Sequence, residues 1–456
     1  MGSLFARQQM PANGAFAQSL TAARRFLLSD WALLAQAILA CFVIVLHGEI
    51  PGMAGFLLLF SAICIVSDNI LATAPSFFFT SLFLIKCDNS LLTFLPLWWL
   101  VLFPLAGLLF HFIAYRRPLQ TGRSFLPMLG VSVAVTLGGT GALSSWEYFS
   151  GASLYHVLAL GFGMLLAYVL LRSHVRDEPG FRASRWLSLL LLTLGLLGAF
   201  MVFHHYLEHL SFVLEKRTIL PFQWRNNISS FLMLALPFAF GRGVKHPFCI
   251  PLGLLIFGAL LLTGSRGGLI FGFVELLLCG GMLLLADRKR RMAYLIAAAV
   301  GAAAALVTFN RWIGFLSPAL LRLLRLLSPD EQEARELLYA RAIADFKRHP
   351  VFGVGIGYMG NRDVHPSKAF ALCWYHNSVL QVLGSTGLLG VAAYLFQFVT
   401  RCVIFLRRRS LFQLTLFIAW VGIEMMSLVN PGVFAPIPYL LLVTMFVVFA
   451  EKESAA

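Results

Sequence analysis

Apolar runs follow one another along almost the whole chain. They fall near 31–48, 52–66, 70–87, 92–115, 126–144, 153–172, 185–203, 228–241, 248–264, 267–286, 292–309, 376–406, 411–429 and 435–450. A bilayer core about 30 Å thick is crossed by roughly 17–25 helical residues, and in lipid every backbone polar group must be satisfied internally. These runs therefore predict an all-α protein: a polytopic transmembrane helical bundle of about 12–14 spans, the uncertainty lying in the short second, eighth and ninth runs. Of the 456 residues, 59% are hydrophobic and 12% charged, where soluble domains have about 25% charged residues.

Orientation follows from the cations. With the N-terminus in the cytoplasm and strict alternation, 21 of the 35 Lys and Arg fall in inside segments, among them Arg24, Arg116, Arg176, Arg242, Arg288 to Arg291, and Arg407 to Arg409. The short outside loops hold five: Lys86, Lys216, Arg217, Arg225 and Arg266. The other nine lie in one long loop, 311–375, and long loops escape the charge rule. Both termini are expected in the cytoplasm of a bacterial inner-membrane protein. The expected division is a cytoplasmic segment 1–30, transmembrane helices 31–310, a large helical extracytoplasmic loop 311–375, transmembrane helices 376–450 and a cytoplasmic tail 451–456. The formal net charge of +15 is explained by loops beside anionic lipid head groups, so nucleic acid is not an expected partner. Seven scattered cysteines form no Cys-x-x-Cys pair, and segment 1–30 lacks the apolar core of a cleavable signal.

Within the long loop, Ser317 to Leu327 reads as a basic amphipathic helix lying along the lipid interface. Ser328-Pro329, followed by Asp330, Glu331 and Glu333, opens a second helix that runs to about Arg348 and ends before Pro350. The glycines of Gly353-Val354-Gly355-Ile356-Gly357 read as a flexible stretch without the strand-turn-helix setting of a dinucleotide site.

Three polar features share the expected outer face. The first is the loop holding Lys216-Arg217 and Trp224-Arg225-Asn226-Asn227. The second is the turn Thr263-Gly264-Ser265-Arg266-Gly267-Gly268. An arginine between apolar spans is costly and usually functional, and a guanidinium fork suits a phosphate or diphosphate. The small neighbours would let a ligand approach the backbone. The same arginine would also fit a snorkelling interfacial side chain. The third is His376-Asn377, opening an apolar helix; its imidazole suits a general base near neutral pH, or equally a helix-capping role.

Two other groups carry alternatives. His205 to His209 contains the H-x-x-E-H pattern of some zinc peptidases, with Glu215 the nearest further ligand. Asp68, Glu275 and Glu424 lie in or near spans, which leaves a membrane transporter or flippase of lipid-linked or small anionic substrates as the alternative function.

Together these residues make the chain resemble the O-antigen ligase and O-antigen polymerase superfamily of bacterial membrane glycosyltransferases. Four stretches within 185–430 carry the likeness: Arg217 to Asn227; Thr263 to Gly268; Arg341 to Pro350 running into Val351 to Gly357; and His376 to Gln381 followed by Gly384 to Gly390. The resemblance implies transfer or polymerisation of a glycan from undecaprenyl diphosphate to an acceptor hydroxyl, on a glycan or a lipid-linked partner, without a metal or other cofactor. It assigns catalysis to His376 and Arg266. Substrate binding would fall to Arg217, Arg225, Asn227, Ser265 and Asn377. Where the family often has Gly-Asn-Pro-Asn after the loop arginine, this chain has Trp224-Arg225-Asn226-Asn227, so Arg217 and Arg225 both remain candidates for the diphosphate.

Overall fold

A computed structural model describes residues 15–87, 95–149, 151–216, 225–310, 329–357, 374–430 and 432–455. Its helices are α1 (Ala15–Leu27), α2 (Asp30–Val45), α3 (Glu49–Val66), α4 (Ala74–Lys86), α5 (Leu102–Ala114), α6 (Phe125–Gly138), α7 (Gly151–Leu158), α8 (Met164–His174), α9 (Ala183–Glu208), α10 (Leu210–Lys216), α11 (Arg225–Gly243), α12 (Cys249–Leu262), α13 (Arg266–Ala286), α14 (Arg291–Val307), α15 (Pro329–Arg348), α16 (Ser378–Leu406), α17 (Leu411–Ser427) and α18 (Leu441–Ala455). No β-strand occurs among the described residues, and the expected all-α polytopic bundle is what forms. Every apolar run of the sequence holds a helix.

Seven described helical segments are long and apolar enough to cross a membrane, or eight if α1 and α2, bent by 63°, count as one broken span. Four more apolar helices have 10–17 residues. The second run supplies a full-length helix, Glu49–Val66, while the ninth, Cys249–Leu262, is among the short ones. The helix expected after Ser328-Pro329 is α15, ending at Arg348. The amphipathic segment 317–327 lies outside the described residues.

The chain divides into two compact units. One holds residues 1–118 and 174–190. There Asp68 accepts from Arg176 Nη2 at 2.6 Å, and Asn69 donates to Glu178 at 2.9 Å. Asp68 is thus engaged in an ion pair. The second unit, residues 119–173 and 191–456, carries all three polar features. In it α11 is the central helix: residues 228 to 240 are all buried, packed by α12, α13 and α17.

The glycine stretch after α15 is ordered rather than flexible. Val354 and Ile356 are buried, and Gly353, Gly355 and Gly357 have φ of 69°, 90° and 71°. The reason lies in α16, which breaks at Gly387 (φ 61°). A helix break strands backbone groups that lipid cannot satisfy. Here Leu388 and Leu389 donate to the carbonyls of Pro350 and Val351 at 2.8 and 3.3 Å. The carbonyls of Gly384 and Ser385 accept from Val354 and Gly355 at 2.9 and 3.0 Å. Ile356 donates to Gly139 at the end of α6. A Cβ on Gly353 or Gly387 would press on main-chain atoms of the opposite segment, so only glycine permits this approach.

Candidate functional site

The turn that carries Arg266 is built from both sides by capping. Gly264, at φ 66°, takes the left-handed conformation that ends α12, and Ser265 is the N-cap of α13, accepting from Gly268 N–H at 3.2 Å. The Ser265 hydroxyl donates to Asn226 Oδ1 at 2.9 Å, while Thr263 and Ser229 share a hydrogen bond of 2.8 Å. The turn is thereby pinned to the first turn of α11, which displays Arg225, Asn226 and Asn227. The Asn227 carbonyl accepts from Tyr439 at 2.6 Å.

Gly267 and Gly268 have a role other than ligand approach. Both are buried. A Cβ on Gly267 would meet Val429 and Met426 at 2.6 and 2.8 Å, and one on Gly268 would meet Ser229 at 2.9 Å. The absent side chains let α13 start in the cleft between α11 and the end of α17. Ser265 is also fully buried, with its hydroxyl shared between Asn226 and Gly268, so it holds the turn. Arg266 itself is half-buried, as is Arg225.

His376 reaches the same end of the bundle by a different route. Asn377 is the N-cap of α16, its Oδ1 accepting from Val379 and Leu380 at 3.0 and 3.1 Å. Its Nδ2 donates to the carbonyl of Leu428, just past α17, at 3.2 Å. On the other side, buried Tyr375 donates its hydroxyl to Asp345 of α15 at 2.7 Å and its N–H to Gln381 at 2.9 Å. Asp345 in turn is paired with Arg341 at 3.2 Å. Half-buried His376 sits between these two anchored residues with φ at 52°, an uncommon conformation for a residue with a side chain and one concentrated at functional sites.

The end of α17 is what joins the two parts. Residues 426–429 touch the first turn of α13 through Gly267 and receive Asn377 at Leu428. The backbone segments that carry Arg225 to Asn227, Arg266 and His376 are therefore linked through Ser265, Gly267 and Asn377 around the end of α17. Of the residues expected at the site, Arg217 lies outside the described residues. The positioning roles of Asn226, Asp345 and Tyr375 do not show in the sequence, because their partners are 30 to 39 positions away.

A cavity of about 350 Å³ starts beside this cluster, at Ser378 and Val379 of α16. Its wall is mostly apolar, formed with Val131 of α6, Leu160 and Phe434. It extends along α16 as far as Arg401, which lies 3.5 Å from Glu424 Oε1; the same oxygen accepts from Trp420 Nε1 at 2.8 Å. Arg401 and Glu424 thus form an ion pair in the cavity wall.

No curated protein matches the chain. Residues 251–395 match the family model described as O-antigen ligase, a stretch that contains the Arg266 turn, α15, the ordered glycines and His376. With its apolar helices, this makes the chain a multi-pass bacterial membrane protein. The region that holds Arg266 and His376 is thus similar to the O-antigen ligase family, which supports the likeness to the O-antigen ligase and polymerase superfamily.

Proposed function

We propose that the protein transfers a glycan from undecaprenyl diphosphate to an acceptor hydroxyl at the outer face of the bacterial cytoplasmic membrane, with both termini in the cytoplasm. The support for this reading is that the segments bearing Arg225, Arg266 and His376 are tied around the end of α17 by Ser265, Gly267 and Asn377, within and beside the stretch that matches the O-antigen ligase family.

His376 takes the proton from the acceptor hydroxyl as its oxygen attacks the anomeric carbon of the donor sugar. The bond from that carbon to the diphosphate oxygen breaks, and undecaprenyl diphosphate departs with the added negative charge. Arg266 and Arg225, joined by Arg217, stabilise that charge as it grows; fixed cations act most strongly where charge develops. A general base contributes typically about 10²–10⁴-fold. Asn227 flanks the sugar and diphosphate, Asn377 holds the His376 turn through the α16 cap and Leu428, and Ser265 keeps the Arg266 turn in place. The apolar cavity beginning at Ser378 and Val379 is suited to the hydrocarbon chain of a lipid-linked substrate. The activated donor supplies the driving force, so the proposed reaction uses neither a metal nor a nucleotide.

The test is in vitro. Purified protein in lipid nanodiscs is incubated with undecaprenyl-diphosphate oligosaccharide, with and without a separate glycan acceptor, and glycan transfer is followed by gel and mass spectrometry. Chain growth without added acceptor identifies a polymerase; transfer only to the added acceptor identifies a ligase. Arg266→Ala and His376→Ala each abolish transfer while the protein still inserts and purifies as a folded species. Full transfer by both variants overturns the reading.

A further inference from the structure

The outer turn of α9 and the residue after it carry a separate cluster, His204-His205-Tyr206-Leu207-Glu208-His209. One ligand atom each from His205, Glu208 and His209 come within 4.8 Å of one another, and the two imidazole rings lie 4.6 Å apart. Glu215, the nearest further acid in sequence, is not part of this group.

The protonation of one imidazole is fixed by its partner. Nδ1 of His209 lies 2.9 Å from the backbone carbonyl of His205. A carbonyl oxygen only accepts, so Nδ1 carries the proton and the lone pair is on Nε2. Ligating histidines are oriented in the same way, by donating the other ring N–H to a backbone carbonyl or carboxylate. The Glu208 carboxylate lies among the rings, Oε1 at 3.3 Å from His204 Nδ1 and Oε2 at 4.0 Å from His205 Nδ1. Glu208 and His209 are exposed and His205 half-buried, so an ion has access to the cluster.

We propose that His205, Glu208 and His209 bind one divalent transition-metal ion of the zinc class, with water completing the coordination. Two imidazoles and a carboxylate are a borderline-soft donor set that suits zinc and cobalt over magnesium or calcium. Because Glu208 is a ligand, the cluster lacks the free general base that an H-x-x-E-H hydrolase requires, so no hydrolysis is assigned to it. Its placement gives it something to hold. Tyr206, between the ligands, donates its hydroxyl to the carbonyl of Leu262 at 2.8 Å, one residue before the turn that carries Arg266. A metal crossing the last turn of α9 would fasten the helix end that Tyr206 docks there.

The experiment uses the full chain in detergent, purified without a polyhistidine tag, stripped with EDTA and dialysed. Cobalt(II) is titrated while visible d–d absorption is recorded, and zinc is titrated by calorimetry. The expected result is one saturable site per chain, a cobalt spectrum that zinc displaces, and an upward shift of the melting temperature with zinc. All three are lost in the His205→Ala/His209→Ala variant, whose melting temperature without metal stays that of the parent. Glu208→Gln, which preserves size, loses the intensity of the cobalt band. Absence of saturable binding, or binding equal in the parent and the double variant, overturns the proposal.

Discussion

The hydroxyl of Ser265 donates to the side-chain oxygen of Asn226 across 39 residues of sequence, at 2.9 Å, with both groups directly beside an arginine. Arg266 follows the one and Arg225 precedes the other, so this bond sets the spacing of the two cations. Ser265→Ala removes the bond and the N-cap of α13 together. A lost cap costs about 0.5–2 kcal/mol, so the variant should melt earlier. Ser265→Thr keeps an oxygen for both partners and should recover part of the loss. Thermal unfolding of the three proteins in one detergent checks the order.

Arg266→Lys keeps the charge and removes the fork. If Arg266 contacts the diphosphate with two parallel hydrogen bonds, lysine will not substitute, and transfer should fall by about 10²-fold or more, as when a preorganised donor is removed elsewhere. Initial rates at saturating donor, compared with Arg225→Lys and Arg217→Lys, would also show which loop arginine matters more.

Asn377→Ala should act on the rate through His376. It removes the cap of α16 and the link to Leu428, one of the two anchors that hold His376 at its positive φ. The expected result is a melting temperature lower by the equivalent of about 0.5–2 kcal/mol and a fall in kcat with little change in KM. His376→Gln should lose the base while keeping the fold, with kcat lower by about 10²–10⁴-fold.

Glu424 separates the glycosyltransferase from a transporter. It is half-buried beside buried Arg401 and Trp420, and a single substitution strands the guanidinium. Glu424→Gln should therefore destabilise the protein, by up to about 3–5 kcal/mol. Arg401→Met/Glu424→Leu, which removes both charges, should recover most of that stability and retain glycan transfer. Loss of a substrate flux in proteoliposomes, with transfer never observed in the parent, would favour the transporter.

The order and type of the helices were legible in the sequence because lipid leaves few choices: a run of some twenty apolar residues has to be a helix. Arg225, Arg266 and His376 stood out as candidates, since polar groups are conspicuous where almost everything else is apolar. The work of the small residues was not. Gly267 and Gly268 looked like room for a ligand and instead admit Met426, Val429 and Ser229. Gly353 to Gly357 looked mobile and instead fill a broken helix. A glycine leaves the same trace in a sequence whether the vacated space takes a substrate, a neighbouring helix or nothing. Only the partner distinguishes these, and here the partners are far away in the sequence, as with Gly267 and Val429.

The exchange of main-chain hydrogen bonds at Gly387 also limits how this protein can be taken apart. Segment 350–356 supplies the carbonyls that α16 lacks at its break, so the polar stretch before it is not a removable insertion. A chimera that swaps the loop at Pro350 would leave four peptide groups unsatisfied inside the bundle, whatever the sequence of the graft. Exchanges intended to redirect acceptor choice should keep α15 through Gly357 with its native α16 and place the junctions outside that block.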